Sequence, residues 1–290
     1  MKAWIKIAIV CLMGNAPLVA QTTGENTAAN GGKQLTILHT SDMHSRVLPI
    51  PAGAADEYAG RGGLVRRASC VEQERLQDPE LLLLDCGDFS KGSPYYNLFK
   101  GEVEVKMMNR MKYDAVTIGN HEFDFGLDNL ALLALKAKFP IVCSNCDFDG
   151  TPCEGLIKKY IVIERDGIRI GVFGLTPKVE GLVMRENIEG VKYIDPIEAS
   201  KEMVKTLREK EMCNVVVCLS HLGWGLGPEY MDDQQLVAAT NGIDIVLGGH
   251  SHTYMKEMEW VKNVDGEGVP VDQNGKHGAF IGRITLTLEK

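Results

Sequence analysis

Five short motifs of Asp, Asn and His residues carry the side chains of this 290-residue chain that are best suited to bind metal. They are Asp42-Met43-His44, Gly87-Asp88, Gly119-Asn120-His121-Glu122, Ser220-His221 and Gly249-His250-Ser251-His252. Carboxylate, amide oxygen and imidazole are the donors that a borderline-hard divalent cation prefers. The residue types therefore predict a two-metal site that performs metal-assisted chemistry.

Each motif follows a short apolar run, and the runs cover residues 35–38, 81–84, 115–118, 215–219 and 243–247. Apolar runs of this length that end in polar residues and glycine are typical of buried strands opening into loops. In α/β sheets, ligands gather beyond the carboxyl ends of the strands. We therefore expect the polar residues of all five motifs to meet at one edge of the fold.

The segments between the strands have the apolar period of helices. This spacing predicts helices over residues 63–76, 103–111, 127–137 and 197–207. Asp166-Gly167 lies between two strand-like runs and predicts a β-hairpin, and a last strand is expected within residues 279–288. Alternating strands and helices with an inserted hairpin indicate an α/β fold with mixed sheets.

The N-terminus resembles a secretory signal peptide. Lys2 and Lys6 are followed by a mostly apolar stretch, and Ala20 offers a small residue for cleavage. The alternative is a membrane anchor, but the stretch is too short to span a bilayer. We predict a signal peptide over residues 1–20, a flexible lead-in over 21–34 and one domain over 35–290, with export to the periplasm or the extracellular space.

The formal net charge is −8, which argues against a nucleic acid polymer as partner. It does not exclude a small anionic substrate, because bound metal inverts the local field. Cys146 and Cys153 flank a turn-rich segment, and a small disulfide loop there is left open. Two histidines fall outside the motifs: His39, expected to be buried in the first strand, and His277, expected to be solvated in a loop.

The order D-x-H, G-D, G-N-H-E, H and G-H-x-H resembles the calcineurin-like metallophosphatase superfamily. The fuller wording L-H-T-S-D-M-H, G-N-H-E-F-D-F-G and G-G-H-S-H-T resembles the N-terminal catalytic domain of the 5′-nucleotidase family in a secreted, single-domain form. The resemblance covers about residues 35–289. It implies a four-layer αββα sandwich, in which two mixed β-sheets lie between layers of helices.

The resemblance also implies seven ligands for two divalent cations: Asp42, His44 and His252 for one metal, Asn120, His221 and His250 for the other, and Asp88 as the bridge. The metals themselves are left open among Zn, Mn, Co and Fe. Many two-domain nucleotidases have Gln where this chain has His252, so this site resembles the general phosphoesterase pattern more closely.

His121 and Asp124 resemble the catalytic pair of the family, with Asn120 and His121 as substrate-binding residues. Glu122, between them, is expected to make a structural hydrogen bond. In such a site two cations lower the pKa of a bridging water, and the resulting hydroxide attacks phosphorus. His121, oriented by Asp124, would then protonate the leaving group.

These features predict a secreted, metal-dependent phosphomonoesterase whose substrate is a nucleoside 5′-monophosphate. One alternative is a related hydrolase of cyclic nucleotides, nucleotide sugars or a sulfur–sulfur bond. Another, of a different class, is the catalytic half or binding module of a split enzyme. The two-domain relatives continue into a C-terminal domain that stacks the nucleobase, so a separate C-terminal domain chain is a candidate partner.

Overall fold

A computed structural model describes residues 3–7 and 32–288 of the chain. Most of the predicted signal peptide and of the predicted lead-in lies outside the described residues, together with Cys11. The strands are β1 (Ala3–Ile7), β2 (Lys33–Thr40), β3 (Leu82–Asp85), β4 (Ala115–Thr117), β5 (Ile141–Val142), β6 (Cys146–Asp147), β7 (Ile157–Lys158), β8 (Tyr160–Arg165), β9 (Ile168–Leu175), β10 (Lys192–Tyr193), β11 (Val215–Ser220), β12 (Ile245–Leu247), β13 (Glu259–Lys262), β14 (Gly268–Asp272) and β15 (Gly282–Leu288).

The helices are α1 (Leu64–Gln77), α2 (Pro94–Phe99), α3 (Glu102–Met111), α4 (Gly126–Lys136), α5 (Pro196–Lys205) and α6 (Asp233–Ala238). A π-helical turn over Thr206–Lys210 continues α5, and short 3₁₀ turns cover His121–Phe123 and Arg185–Ile188. Side chains fix two of the helix starts: Ser93 caps α2 and Asp195 caps α5, each followed by proline at the first helical position.

Two large mixed sheets form the centre of the fold. The first has the order β1-β15-β2-β3-β4-β5-β7, and the second has the order β13-β14-β12-β11-β9-β8. Strands β2, β3, β4, β5 and β7 run parallel, as do β9, β11, β12 and β14. The carboxyl ends of β2, β3 and β4 therefore lie at one edge of the first sheet, and those of β11 and β12 at one edge of the second.

Three apolar clusters separate the layers. One packs α1, α3 and α4 against the outer face of the first sheet, and another packs α5 and α6 against the outer face of the second. The third lies between the sheets and includes Ile37, Leu84, Val217 and Leu247. This arrangement confirms the predicted four-layer αββα sandwich.

The elements predicted from apolar period are present, and the Asp166-Gly167 turn joins the antiparallel pair β8 and β9. Sequence periodicity did not predict β13, β14, α2 or α6, because these elements are short or rich in polar residues. Strand β2 begins at Lys33, so the last two residues of the predicted lead-in belong to the first sheet. In the structure, Ala3–Ile7 pairs antiparallel with β15; whether a signal peptide is cleaved after Ala20 stays a prediction.

Candidate metal centre

The five motifs occupy the loops that follow β2, β3, β4, β11 and β12, where the two sheets approach each other. Glycines permit this approach. A Cβ atom at Gly119 would collide with the carboxylate of Asp88, and one at Gly249 would lie 2.9 Å from Nδ1 of His221. The first two loops are joined by backbone hydrogen bonds from Asp42 N–H to Gly87 O, 2.9 Å, and from His44 N–H to Asp88 O, 2.9 Å.

Most of the donor residues lie in the left-handed backbone region. The residues with positive φ are Asp42 (50°), His44 (45°), Asp88 (55°), His250 (74°) and His252 (57°). This conformation is uncommon for residues other than glycine and costs free energy. Such strain is concentrated at functional sites, where the surrounding structure holds a side chain in a required direction.

The donor atoms fall into two groups that meet at the carboxylate of Asp88. Ligand atoms of Asp42, His44 and His252 lie within 4.8 Å of one another, and so do those of Asp88, His221 and His250. We call these the outer and the inner donor groups. A further set of His44, Asp88 and His121 also meets this limit, so the carboxylate of Asp88 lies between the two groups.

Two buried side chains beside this carboxylate are suited to bind a cation. Oδ1 of Asn120 is buried without a hydrogen-bond partner, and Nε2 of His221 is buried with the carboxylate of Asp88 as its neighbour. The opposite ring nitrogen of His221, Nδ1, is 2.6 Å from the carbonyl oxygen of Cys86, to which it donates as N–H. This contact orients the ring so that Nε2 faces the carboxylate of Asp88, and a bound cation would replace the proton on Nε2, as is usual for histidines that bind metal.

Asp88 and His221 of the inner donor group form a buried electrostatic contact. Nε2 of His221 lies 3.0 Å from Oδ2 of Asp88, and both side chains are almost fully buried. Burial alone would raise the pKa of Asp88, but the charge and hydrogen bond of His221 hold that pKa well below its usual range. Burial would lower the pKa of His221, yet Asp88 and Asp42 raise it. Burial also raises the pKa of Asp42.

The remaining imidazoles are held neutral. Burial lowers the pKa of His44 to about 3 and the pKa values of His250 and His252 to about 4, with repulsion from neighbouring cations adding to the effect. Nε2 of His44 lies 2.8 Å from Nε2 of His252. Neutral imidazoles with converging ring nitrogens are suited to cation binding, so the residues of both donor groups fit divalent metal.

A histidine–aspartate pair lies beside the donor groups. Nδ1 of His121 is 3.0 Å from Oδ2 of Asp124, and the His121 backbone N–H donates to Oδ1 of Asp88 at 2.9 Å. The ring of His121 lies 5.5 Å from that of His44. Asn187 donates to the Asp124 carbonyl oxygen at 2.9 Å, so this pair is connected to both the site and the 3₁₀ turn at Arg185–Ile188.

Glu122 has the structural role expected from the sequence. Its buried carboxylate accepts backbone N–H groups of Asp88 at 2.9 Å, Ser90 at 3.0 Å and Gly119 at 2.7 Å. One side chain thereby joins the loops after β3 and β4. His39 is likewise buried, with Nε2 2.7 Å from Asp272 of β14, so the two sheets are linked behind the site.

The expectation that His277 is solvated was wrong. Its ring lies 5.8 Å from that of His44, and its backbone N–H donates to the Asp42 carbonyl oxygen at 2.8 Å. Because β15 pairs with β2, the loop before β15 is brought to the first motif. Arg46 and Lys276 lie close enough to His277 to add to the effect of burial, which lowers its pKa. In the sequence, the position of His277 between Gly275 and Gly278 was the only signal; in the structure its φ is 63°.

The Cys146–Cys153 bridge left open by the sequence is not formed. Every cysteine among the described residues is buried and has a free thiol. The thiol of Cys146 is in hydrogen-bonding contact with Cys143, whereas the Cys153 thiol donates to the Leu127 carbonyl oxygen at 3.4 Å.

Comparison with known proteins identifies the family. The family model for calcineurin-like phosphoesterases matches residues 35–254, and the chain belongs to that family. Its relatives include 5′-nucleotidases, which it matches over about half of their length. A snake venom 5′-nucleotidase from Crotalus adamanteus is 32% identical over 282 residues, covering 91% of this chain and 47% of the relative.

Two solved structures share the fold. The 5′-nucleotidase precursor of Thermus thermophilus is 30% identical with a TM-score of 0.79, over 87% of this chain and 51% of that one. The NAD nucleotidase of Haemophilus influenzae is 25% identical with a TM-score of 0.76, over 89% of this chain and 48% of that one. The chain is thus a metallophosphoesterase that spans about half the length of these relatives. Among the described residues, every helix is too short or too polar to cross a membrane.

Proposed function

We propose that this chain is the catalytic domain of an exported phosphomonoesterase that binds two divalent cations and releases phosphate from nucleoside 5′-monophosphates. The observation that carries the proposal is the juxtaposition of two donor groups sharing Asp88 with the His121–Asp124 pair. Metal donors alone would also suit a binding protein. A hydrogen-bonded imidazole beside them is what proton transfer to a leaving group requires.

The outer donor group, with Asp42, His44 and His252, would hold one cation, and Asn120, His221 and His250 would hold the other, with Asp88 shared. When bound, the two cations would activate water as the nucleophile and neutralise charge on the phosphoryl oxygens. Zn, Mn, Co and Fe all suit this mixture of oxygen and nitrogen donors. The unpartnered Oδ1 of Asn120, and the Nε2 of His221 facing the carboxylate of Asp88, support the assignment of the inner ligands.

His121 and Asp124 would protonate the leaving alkoxide. Asp124 accepts from Nδ1 of His121, which orients the ring. Nε2 of His121 is then available to donate a proton to the departing ester oxygen. The Nδ2 amide of Asn120 would donate to a phosphoryl oxygen while its Oδ1 binds the inner cation.

Two observations favour a nucleotide as the substrate. Two of the three relatives named above are 5′-nucleotidases, and the similarity to them covers 91% and 87% of this chain. In addition, Phe125 directly follows Asp124 and is 38% exposed, with its ring 5.0 Å from that of Tyr96. An exposed aromatic ring beside the proton donor offers a surface on which a nucleobase can stack.

A C-terminal domain like that of the two-domain nucleotidases is a candidate partner in substrate binding. Export to the periplasm or the extracellular space is proposed from the signal-like N-terminus. A second candidate function is hydrolysis of a nucleotide phosphoanhydride, as in a nucleotide sugar. It is favoured by the 25% identity to an NAD nucleotidase.

The test uses the purified chain in metal-free form and after loading with Mn²⁺, Zn²⁺ or Co²⁺. Initial rates are measured on AMP, CMP, UMP, NAD and nitrophenyl phosphate. We expect metal-dependent phosphate release from the monophosphates, with weak base preference and a high KM. The matched variant Phe125→Ala should raise KM for AMP by about 5-fold or more without changing KM for nitrophenyl phosphate. Turnover of NAD without turnover of AMP would replace the proposal by the second candidate.

A further inference from the structure

The loop between β3 and α2 holds one lysine close to the His121–Asp124 pair. Lys91 lies in this loop at φ 64°, in the left-handed region that residues other than glycine seldom occupy. The residue before it, Ser90, donates its backbone N–H to Oε1 of Glu122 at 3.0 Å. The residue after it, Gly92, packs so closely on His44 that a Cβ atom would lie 2.7 Å from the His44 carbonyl oxygen.

These contacts fix Lys91 relative to the donor groups on both sides. Glu122 belongs to the third motif and His44 to the first, so the loop cannot move without disturbing one of them. The left-handed backbone at Lys91 is maintained although a glycine there would relieve it. Strain of this kind is typical of a residue held for a purpose.

The ammonium group of Lys91 shares an oxygen with the histidine of the pair. Its Nζ is 3.3 Å from Oδ2 of Asp124, the same atom that lies 3.0 Å from Nδ1 of His121. The Lys91 side chain is 50% exposed, and that of Asp124 is 21% exposed. An ion pair this open to water is weak, so the ammonium can leave it for a stronger anion.

A phosphate monoester is such an anion, because it carries two negative charges whereas Asp124 carries one. We propose that Lys91 is a substrate-binding residue that moves from Asp124 to a non-bridging oxygen of the phosphoryl group. The transfer leaves the Asp124 carboxylate to His121 alone. Substrate binding would thus leave His121 as the only partner of Asp124. The ammonium group of Lys91 would bind the phosphoryl group. This inference rests on the proposed phosphomonoesterase function.

The test compares two substrates with the same leaving group but different charge. Nitrophenyl phosphate is a dianion at pH 8, and bis(nitrophenyl) phosphate is a monoanion. In the metal-loaded full chain, Lys91→Gln should raise KM for the monoester about tenfold, and should raise KM for the diester, or its inhibition constant as a competitor of the monoester, less than about threefold. Lys91→Arg should restore most of the affinity. The control is Lys106→Gln, since Lys106 is 73% exposed on α3 and pairs with Glu102; it should change neither value.

Metal content and melting temperature of each variant are measured alongside. Equal effects of Lys91→Gln on both substrates, no effect on either, or loss of bound metal would each overturn the inference. Failure of the proposed function is seen separately, as absence of monoester turnover in the unmodified chain. In that case inhibition by inorganic phosphate is measured on any substrate that is turned over, or phosphate binding is measured directly. Lys91→Gln should weaken the binding of inorganic phosphate about tenfold, and an unchanged affinity for phosphate would overturn the inference.

Discussion

The inner and outer donor groups share Asp88 but differ in how the fold holds them. The inner His221 is fully buried at the end of β11, and its ring is fixed by the Cys86 carbonyl oxygen. The outer His252 is 35% exposed, whereas the other two outer residues, Asp42 and His44, are buried. The inner group is thus anchored at a fully buried imidazole, whereas the outer group is open to solvent on the side of His252. We expect the inner cation to bind more tightly and the outer cation to exchange with solvent.

Substitution of Asp88 should weaken cation binding in both donor groups. Asp88→Asn removes the negative charge between them, and its effect should be the largest. We expect kcat to fall by about 10⁴-fold or more, as two electrostatic contributions worth about 10²–10³ each are lost together. Metal analysis after dialysis should show that both cations bind more weakly and are partly lost. Full activity in Asp88→Asn would contradict the two-cation account.

His121→Ala tests whether catalysis can be separated from either donor group. The variant should keep its metal content, because His121 is not among the proposed ligands. Its kcat on AMP should fall about 10²–10⁴-fold, and the loss on nitrophenyl phosphate should be smaller because nitrophenolate leaves without a proton. The matched Asp124→Asn variant should show the same pattern in milder form. If His121→Ala strips metal instead, the assigned role is wrong.

His252→Gln and His221→Gln compare the outer and inner groups directly. Gln is a weaker ligand than imidazole, so His252→Gln should weaken one cation by about 10–100-fold, a range seen even for partners behind metal ligands. Excess metal should restore its activity. Restoring the activity of His221→Gln should need a far higher metal concentration, because this substitution leaves the buried carboxylate of Asp88 without the imidazole of His221. Equal metal requirements for the two variants would show that the difference in burial has no consequence for binding.

Asp233 supports the inner group and offers a pH test of it. Its carboxylate accepts from Ser220, next to His221, and from Gln273 at 3.1 Å. Burial raises the pKa of Asp233 to about 7 from 3.8. A carboxyl with a raised folded-state pKa takes up protons on folding, so its contribution to stability falls as pH rises from about 4 to about 7.

The neutral variant Asp233→Asn should therefore gain stability relative to the unmodified metal-free chain over this pH range. The gain should be on the order of 2–4 kcal/mol, since each pKa unit corresponds to about 1.4 kcal/mol. Denaturant unfolding at pH 5 and pH 8 measures it. A difference between the two proteins that does not change with pH would show that Asp233 is ionised in the folded state.

The sequence predicted the donor residues better than their surroundings. Each of the five motifs follows an apolar strand, and strand order alone brings such loop residues to one edge. The approach of His277 to His44 was not predictable, because it depends on the pairing of β15 with β2 across most of the chain. The contact of Lys91 with Asp124 was missed for a related reason. A lone lysine in a loop has no periodic signal, and its position depends on Glu122 and Gly92.

Catalysis should need a cation in both donor groups, with the inner group filled first. The metal-free chain is titrated with Mn²⁺ while binding is followed by calorimetry and turnover of nitrophenyl phosphate is followed in parallel. We expect two binding events of unequal affinity, with activity rising with the second, and His252→Gln should shift only that second event. Full activity at one equivalent of metal, or activity in the metal-free chain, would contradict this expectation.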